Sequence, residues 1–420
     1  MAEPRIGGEM TAAERVLDRA DELASHSDLP DGIERVYLSP QHRAANDLAA
    51  HWIREAGLVA WEDAAGNQCG RRAGAGDQLP AVLLGSHLDT VPGAGRYDGI
   101  LGVLVAIEVA ARLRDVELPF ALEVVAFGDE EGTRFGTTLL GSRALAGTWQ
   151  PEWGGLTDAD GIRLADAATA FGLDPARFGD AARTPEELLA YLEVHIEQGP
   201  RLEDADRALG VVTAIAAAER RVITCIGESR HCATPWDLRH DALLGASEAI
   251  LAIERVARAH GSYATVGRIH VEPDAVNVIP GVAAFSLDLR DETAAGRDST
   301  WERILHELEA IAVQRGLDLD VSSTHLAPEV VCAPELRAAF ASGIAATNDR
   351  GSDDPMELFS VAGHDAMAVA AIAPVGMLFV RCRGGISHHA DESVRADDVA
   401  LAIDALEAAV LQLAAEYQPS

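Results

Sequence analysis

The fold of this chain is decided by residues 81–113, which read AVLLGSHLDTVPGAGRYDGILGVLVAIEVAARL. The stretch opens with a short apolar run at 81–84, which is typical of a strand covered on both faces. It becomes apolar again from 100 onwards, for long enough to form a core helix. The loop between these runs carries His87 and Asp98. Because open α/β sheets place their ligands at the carboxyl ends of strands, the pattern predicts a site in this loop.

Strand and helix patterns beyond this stretch predict two domains. A strand pattern at 122–127 follows the helix, which predicts a parallel sheet with right-handed crossovers. From about residue 216 the order becomes β-α-β-β-α-β, the split arrangement of a small ferredoxin-like α+β domain. We therefore predict a mostly parallel α/β domain, flanked by helices, at 1–214 and 328–420. The small domain is predicted as an insertion at 215–327.

Other stretches give further predictions of secondary structure. Residues 12–55 have the pattern of two amphipathic helices that separate near Pro40. Residues 151–190 are acidic with a helical pattern, and residues 262–271 have the pattern of a single strand. The last helix is predicted at 396–416.

Charge composition excludes two classes of partner. The 420 residues include 34 basic and 67 acidic side chains, a net charge of −33, and every basic residue is arginine. A field of this sign repels phosphate backbones and anionic lipids, which argues against nucleic-acid and membrane partners. It suits a protein that collects cations or one adapted to high salt, and a genomic composition bias would explain the arginine usage equally well.

Cysteine usage and the N-terminus indicate a cytoplasmic protein. The five cysteines are scattered, odd in number and without C-x-x-C spacing, which fits a reducing compartment. The first residues lack the apolar region of a signal peptide. No apolar run reaches the roughly 20 residues that span a bilayer.

Candidate metal ligands follow several strands or apolar runs. They are His87, Asp98, the pair Glu130-Glu131, His195 and His388. Histidine and carboxylate side chains are the usual ligands of zinc and manganese. A shared carboxylate would hold two metals about 3.5–4 Å apart, and Asp98 has the two oxygens that this requires. Asp89 is placed to accept the second imidazole proton of His87.

Each candidate also has an ordinary structural explanation. His87 alone would be a hydrogen-bonded core histidine, and Asp98 a helix N-cap. Glu130 and Glu131 would form a solvated acidic turn, which is common in so acidic a chain. Two adjacent carboxylates are nevertheless costly to bury without a cation. In a metal site one can ligate while the other takes a proton from water.

Motifs along nearly the whole chain carry a family resemblance. They are DAAGN at 63–67, the loop at 85–99, EEGTRF at 130–135, LGSR at 140–143, HIEQGP at 195–200, NVIPG at 277–281, GHDA at 363–366 and GISHHADE at 385–392. In this order the motifs resemble those of the allantoate amidohydrolase and N-carbamoyl-L-amino-acid hydrolase family. That hydantoinase/carbamoylase-type group lies within the M20-type dinuclear metallohydrolase superfamily.

The resemblance implies a catalytic domain with two divalent metal ions, Zn²⁺ first and Mn²⁺ as the alternative. One ion would be held by His87, Asp98 and His195. The other would be held by Asp98, Glu131 and His388. Glu130 would be the general base.

The resemblance also implies substrate contacts and a lid or dimerisation role for the small domain. Asn277 and Arg290 would hold a substrate carboxylate, and Gln198 and Gly363 would touch the ureido or amide group. Arginine suits this task because it pairs bidentately with carboxylates. On the residues alone, Arg290 is as well explained by a surface ion pair and Asn277 by a turn. His231 would stabilise the developing oxyanion, often across a homodimer formed through the small domain.

Two departures from the family pattern stand out. The segment HCATPW at 231–236 is one residue shorter than usual before its proline, and Trp236 stands where methionine is common. No proline follows the last ligand, so His389 is a rival to His388. His240, His270 and His364 are assigned structural roles.

The reaction implied is hydrolysis of a C–N bond in a small ureido acid with release of ammonia. Residues 380–388 resemble the allantoate-type members, which makes allantoate the leading substrate. An N-carbamoyl-L-amino acid is the alternative, and a di- or tripeptide is third. A non-catalytic metal-binding or sensing protein would be expected to have lost the base or a ligand.

Overall fold

A computed structural model describes residues 10–76, 78–347 and 354–418. Within these residues the chain forms eleven α-helices and sixteen strands. The helices are α1 (Ala12–Ala24), α2 (Pro40–Glu55), α3 (Ile100–Arg112), α4 (Leu140–Leu145), α5 (Leu164–Phe171), α6 (Arg201–Asp204), α7 (Ala242–His260), α8 (Ala294–Arg315), α9 (Pro334–Ala346), α10 (Ala366–Val369) and α11 (Ala396–Glu416). The strands are β1 (Val59–Glu62), β2 (Gln68–Arg72), β3 (Ala81–His87), β4 (Ala121–Phe127), β5 (Leu188–Ile196), β6 (Leu209–Ile215), β7 (Ala217–Ile226), β8 (Arg230–His231), β9 (Tyr263–Thr265), β10 (Ile269–Glu272), β11 (Val278–Ile279), β12 (Val282–Asp291), β13 (Asp318–Ala327), β14 (Val330–Val331), β15 (Met356–Ser360) and β16 (Val375–Val380).

The chain divides into two compact units. Described residues within Met1–Thr213, Val331–Leu358 and His364–Ser420 form the larger unit. Those within Ala214–Val330 and Phe359–Gly363 form the smaller unit. The catalytic role of the first and the lid or dimerisation role of the second remain predictions.

The larger unit contains a sheet in the order β1-β2-β4-β3-β5-β16-β6-β14, with β15 paired to β6. The four central strands β4, β3, β5 and β16 run parallel to one another. Both β3 and β4 are buried along their whole length, as the apolar run at 81–84 predicts for β3. The predicted α/β class, a mostly parallel sheet flanked by helices, is confirmed.

Parallel pairing brings the carboxyl ends of the central strands to one edge of the sheet. His87 at the end of β3 is in register with Phe127 at the end of β4. Val380 at the end of β16 is likewise in register with Ile196 of β5. The loops that follow these strands therefore start side by side, where α/β sheets place their ligands.

The smaller unit contains an antiparallel sheet in the order β10-β12-β7-β13, with β9 also paired to β12. The helices α7 and α8 contact this sheet and each other. Side chains such as Ile223, Phe285 and Ile304 form its core. A separate two-stranded ladder pairs His231 of β8 with Val278 of β11.

Some local predictions were wrong. The single strand predicted at 262–271 is two strands, β9 and β10, that pair with different parts of β12 and are separated around Gly267. The helical pattern predicted to reach residue 190 ends earlier, because β5 begins at Leu188.

All five cysteines are free thiols. Among the described helices, none has the length and apolar character needed to cross a bilayer.

Candidate metal centre

His87 is oriented by the residues that follow it in the loop. The side chain is 1% exposed, and its Nδ1 lies 3.1 Å from the carbonyl oxygen of Asp89. The Asp89 carboxylate accepts the backbone N–H groups of Glu130 and Glu131 at 3.0 and 3.1 Å. The loop after β3 thereby fixes both the His87 ring and the turn after β4, and it leaves Nε2 of His87 available as a ligand.

Gly99 allows α3 to begin directly against this ring. It is the N-cap of α3, with φ of 71°, and a Cβ at this position would lie 2.3 Å from Nε2 of His87. A side chain is therefore excluded both by the backbone conformation and by the histidine. Because Gly99 is the N-cap, Asp98 is not the helix cap that its sequence position would also have explained.

Asp98 faces a different histidine with each of its oxygens. Its Oδ1 lies 3.2 Å from Nε2 of His195, and its Oδ2 lies 2.9 Å from Nε2 of His388. His195 is fully buried near the end of β5, where its Nδ1 is 2.9 Å from the carbonyl oxygen of Ile196. Asp98 itself is 4% exposed. This arrangement suits a carboxylate that bridges two cations.

His388, rather than its neighbour, faces the other candidate ligands. Its Nε2 lies 3.2 Å from Oε1 of Glu131 as well as close to Asp98. The backbone of His388 is left-handed, with φ of 54°. The side chain of His389 is 63% exposed, and its Nδ1 lies 3.7 Å from the carboxylate of Asp391. The structure thus groups His388 with Asp98 and Glu131.

Three overlapping groups of side chains offer ligand atoms within 4.8 Å of one another. They are His87, Asp98 and His195; Asp98, Glu131 and His388; and His87, Glu130 and Glu131. Nε2 of His195 is buried, and its ion-pair contact among the described residues is the Asp98 carboxylate at 3.2 Å. Burying this nitrogen among several carboxylates is costly unless a cation is present. The side chains therefore fit divalent metal ions.

The two central carboxylates have opposite pKa shifts. Burial, together with the charges of Glu131 and Asp365, raises the pKa of Glu130 well above its ordinary value. Although burial opposes it, hydrogen bonding to His195 and His388 holds the pKa of Asp98 well below its ordinary value. Bound cations would favour the ionised form of both carboxylates. Asp98 is thus held in the ionised form that ligation requires even before a cation binds.

Sequence reasoning missed a buried carboxylate beneath this centre. Glu193 of β5 accepts the hydroxyl of Ser86 at 2.8 Å and the backbone N–H of Ala366 at 3.2 Å. With His195 and His364 it forms a fourth group of possible ligand atoms. Glu193 lies two residues before His195, so both side chains project from the same face of the strand. The two-residue spacing of Glu193 and His195 is the sequence signal that could have identified Glu193.

Gln198 lies at the metal centre. Its Nε2 donates to Oδ2 of Asp98 at 3.0 Å and to the hydroxyl of Ser387 at 3.2 Å. Like His388, Gln198 has left-handed backbone, with φ of 56°. Its carboxamide is therefore directly beside candidate ligands.

The other residues predicted to contact substrate belong to the smaller unit. Arg290 of β12 donates from Nε and Nη2 to the Asp288 carboxylate at 2.7 and 3.2 Å, and from Nη1 to the carbonyl oxygen of Val361 at 2.8 Å. Gly363 is half-buried two residues further on. The ion pair that the sequence left open for Arg290 is thus present.

His231 lies on the ladder formed by β8 and β11, and Asn277 directly precedes β11. Both side chains are exposed, and the Asn277 carbonyl oxygen accepts the N–H of Cys232 at 3.0 Å. Trp236 follows on the same loop and is also exposed, with the Arg239 guanidinium 3.7 Å from its ring centroid. All four groups of possible ligand atoms, in contrast, lie in the larger unit.

Known proteins resemble this chain over nearly its whole length. Residues 83–412 match the profile of peptidase family M20/M25/M40. The chain belongs to this family. It is 42% identical over 410 residues to N-carbamoyl-L-amino acid amidohydrolase of Geobacillus stearothermophilus, covering 96% of this chain and 99% of that protein. It is 38% identical over 426 residues to allantoate deiminase of Arabidopsis thaliana, covering 93% of this chain and 80% of that protein.

Among solved structures, an amidase of the hydantoinase/carbamoylase family from Burkholderia multivorans matches this M20 protein with a TM-score of 0.88. The two chains are 33% identical, and the match covers 97% of this chain and 98% of the other. This M20 protein is an amidohydrolase of the same group. It is a metal-dependent hydrolase that acts on carbon–nitrogen bonds.

Proposed function

We propose that this amidohydrolase cleaves a C–N bond of a small ureido acid and releases ammonia. The observation that carries the proposal is Asp98, whose two oxygens each face a histidine while Glu130 lies in an adjoining group of ligand atoms. Such a centre serves hydrolysis of an unreactive amide-type carbonyl. The names of the relatives from Geobacillus stearothermophilus and Arabidopsis thaliana support a ureido or carbamoyl compound as the substrate.

Two divalent cations, when bound, would supply Lewis-acid polarisation of the substrate carbonyl and of the attacking water. We propose Zn²⁺ first and Mn²⁺ as the alternative, because histidine and carboxylate ligands suit both. His87, Asp98 and His195 would hold one ion, and Asp98, Glu131 and His388 the other.

Glu130 performs the proton transfers. Its carboxylate takes a proton from water as the water oxygen attacks the ureido carbonyl carbon, and the proton then goes to the departing nitrogen as the C–N bond breaks. Loss of ammonia leaves an N-carboxy amine, which releases carbon dioxide and the free amine.

His231 would stabilise the negative charge that develops on the carbonyl oxygen. We also propose the homodimer through the smaller unit that the family resemblance implies.

Arg290 is the proposed partner of the substrate carboxylate. Its contacts with Asp288 and Val361 use three of the five guanidinium N–H donors. One N–H remains on each terminal nitrogen, and these two donors are the proposed bidentate contact to a substrate carboxylate. Asp288 would hold this fork in place, while Asn277 adds an exposed amide. Gln198 and Gly363 would contact the ureido group.

Allantoate is the proposed substrate, on the resemblance of residues 380–388 to allantoate-type members. An N-carbamoyl-L-amino acid is the second candidate, favoured by the 42% identity to the Geobacillus stearothermophilus enzyme. Protein stripped of metal and resupplied with Mn²⁺ or Zn²⁺ should release ammonia from allantoate with the higher kcat/KM. A higher value for N-carbamoyl-L-amino acids would establish the second candidate. Failure to hydrolyse any ureido acid with either metal would contradict the proposed function.

A further inference from the structure

We propose that Glu392 is a positioning residue that fixes Asp98 between the two metal-ligand groups. Glu392 is absent from all the groups of possible ligand atoms, yet it contacts two of the three loops that supply ligands to the second group. The inference rests on the metal centre of the proposed function and is independent of the identity of the substrate.

One oxygen of Glu392 holds the main chain at Asp98. Oε1 accepts the backbone N–H of Tyr97 at 2.7 Å and that of Asp98 at 3.2 Å. Glu392 is 2% exposed, so these charge-assisted hydrogen bonds are shielded from water. They fix the point at which the Asp98 side chain leaves the backbone.

The other oxygen reaches the Asp98 side chain through Ser387. Oε2 of Glu392 lies 3.0 Å from the Ser387 hydroxyl oxygen, which in turn lies 3.1 Å from Oδ2 of Asp98. The hydroxyl has a single proton and donates it to one of these two carboxylates at a time. Ser387 and Glu392 flank His388 in the chain. A single carboxylate therefore ties the loop that carries Asp98 to the loop that carries His388.

The local packing is built around this side chain. A Cβ at position 95 would lie 2.3 Å from Glu392 side-chain atoms, so glycine is required for the approach. Among the ion pairs of the described residues, none involves Glu392. Burying a carboxylate beside Asp98 without a basic partner is costly. A loop anchor alone would be served by a neutral amide, whereas the added negative charge favours cations at Asp98.

Metal affinity is the direct test, with Mn²⁺ as the probe. Residues that orient metal ligands typically change affinity by about 10–100-fold when lost. Isothermal titration of Mn²⁺ into the metal-stripped full chain should show that loss for Glu392→Ala. Glu392→Gln keeps one oxygen for the two backbone N–H groups, so its affinity should lie between those of Glu392→Ala and the parent. Asp391→Asn removes an exposed carboxylate from the adjacent position and should bind Mn²⁺ as the parent does.

Parent-like Mn²⁺ affinity of folded Glu392→Ala would overturn the proposal, since it would mean that Glu392 only anchors the loop. Should that variant not fold, Ser387→Ala decides: weakened Mn²⁺ binding supports the link to Asp98, and parent-like binding refutes it. Weakened Mn²⁺ binding in a protein that hydrolyses no ureido acid would uphold the role of Glu392 and refute the proposed substrate class. Normal hydrolysis with parent-like Mn²⁺ binding would do the reverse.

Discussion

The two sets of proposed functional residues differ in how the chain holds them. In the larger unit, His87 and His195 lie at the ends of buried parallel strands, and Asp98 is held by neighbours from several loops. In the smaller unit, His231 and Asn277 are exposed at a ladder of two short strands. Ligands built on strand ends keep their geometry before anything binds. The exposed ladder has less of this support, although the N–H of Ala233 donates to Nδ1 of His231 at 3.2 Å.

Glu130→Gln should have the largest effect on activity, because it removes the proposed general base from the larger unit. We expect kcat to fall by about 10²–10⁴-fold. Metal content should stay unchanged, since glutamine keeps the shape of the side chain and Glu130 is not one of the proposed metal ligands. Ammonia release and metal analysis on the same sample test both statements. An active variant would show that the general base is another residue.

His231→Asn asks whether the exposed ladder takes part in chemistry. If His231 stabilises the oxyanion, kcat should fall by about 10²–10³-fold. His270→Asn changes another exposed histidine of the smaller unit and serves as the matched control, with kcat unchanged. Equal kcat values for both variants would confine the chemistry to the larger unit.

Arg290→Lys tests substrate binding in the smaller unit. Lysine keeps the charge and loses the planar fork, so KM should rise and kcat/KM should fall by about 10–100-fold, as for a lost charged hydrogen bond. Arg220→Lys is the control, because Arg220 binds the same Asp288 carboxylate at 2.9 Å from a more exposed position. Similar kinetics for the two variants would mean that Arg290 is only an ion-pair partner.

His42 should give the smallest effect, on stability alone. It is fully buried in the larger unit, its Nδ1 accepts the N–H of Leu38 at 3.2 Å, and burial lowers its pKa to about 3. Between about pH 6.5 and 3 the imidazole of His42 is protonated in the unfolded chain and neutral in the folded chain. The free energy of unfolding should therefore fall with falling pH, by up to about 1.4 kcal/mol per pH unit from this residue.

Denaturant unfolding at pH 6 and pH 5 measures this contribution. His42→Asn removes the titrating group, so the loss of stability between the two pH values should be smaller by about 1 kcal/mol. His51→Asn, an exposed histidine of the same helix, should retain the loss seen in the parent. Identical pH dependence in all three proteins would contradict the role of His42.

The part of the larger unit that holds His87 and Asp98 was predictable because its sequence patterns are local. The apolar runs around residues 81–113 correctly indicate β3 and α3, and the polar loop between them holds His87 and Asp98. β5 was harder, since Leu188–Ile196 follows an acidic stretch with helical periodicity and is buried by neighbours distant in sequence. The role of Glu392 was not predictable for the same reason, because Tyr97 and Asp98, whose backbone N–H groups it accepts, lie almost 300 residues away in the sequence.

In the smaller unit the sequence left alternatives that only pairing can settle. Asp288 and Arg290 are two residues apart on β12, so an ion pair between them was foreseeable, and the structure contains it. The break between β9 and β10 had only a weak sequence signal, because Gly267 is a single glycine in a segment that otherwise has strand character. Pairing with β12 determines which residues form each strand.

Gln198 and His388 have left-handed backbone conformations, which lower the stability of the folded protein in return for placing both side chains beside Asp98. Each conformation costs a residue other than glycine about 1–2 kcal/mol. Glycine at either position would relieve that cost and remove a side chain that faces Asp98. Laboratory selection for heat resistance alone would therefore favour glycine at these two positions. Engineering of this enzyme should hold both positions fixed and seek stability elsewhere.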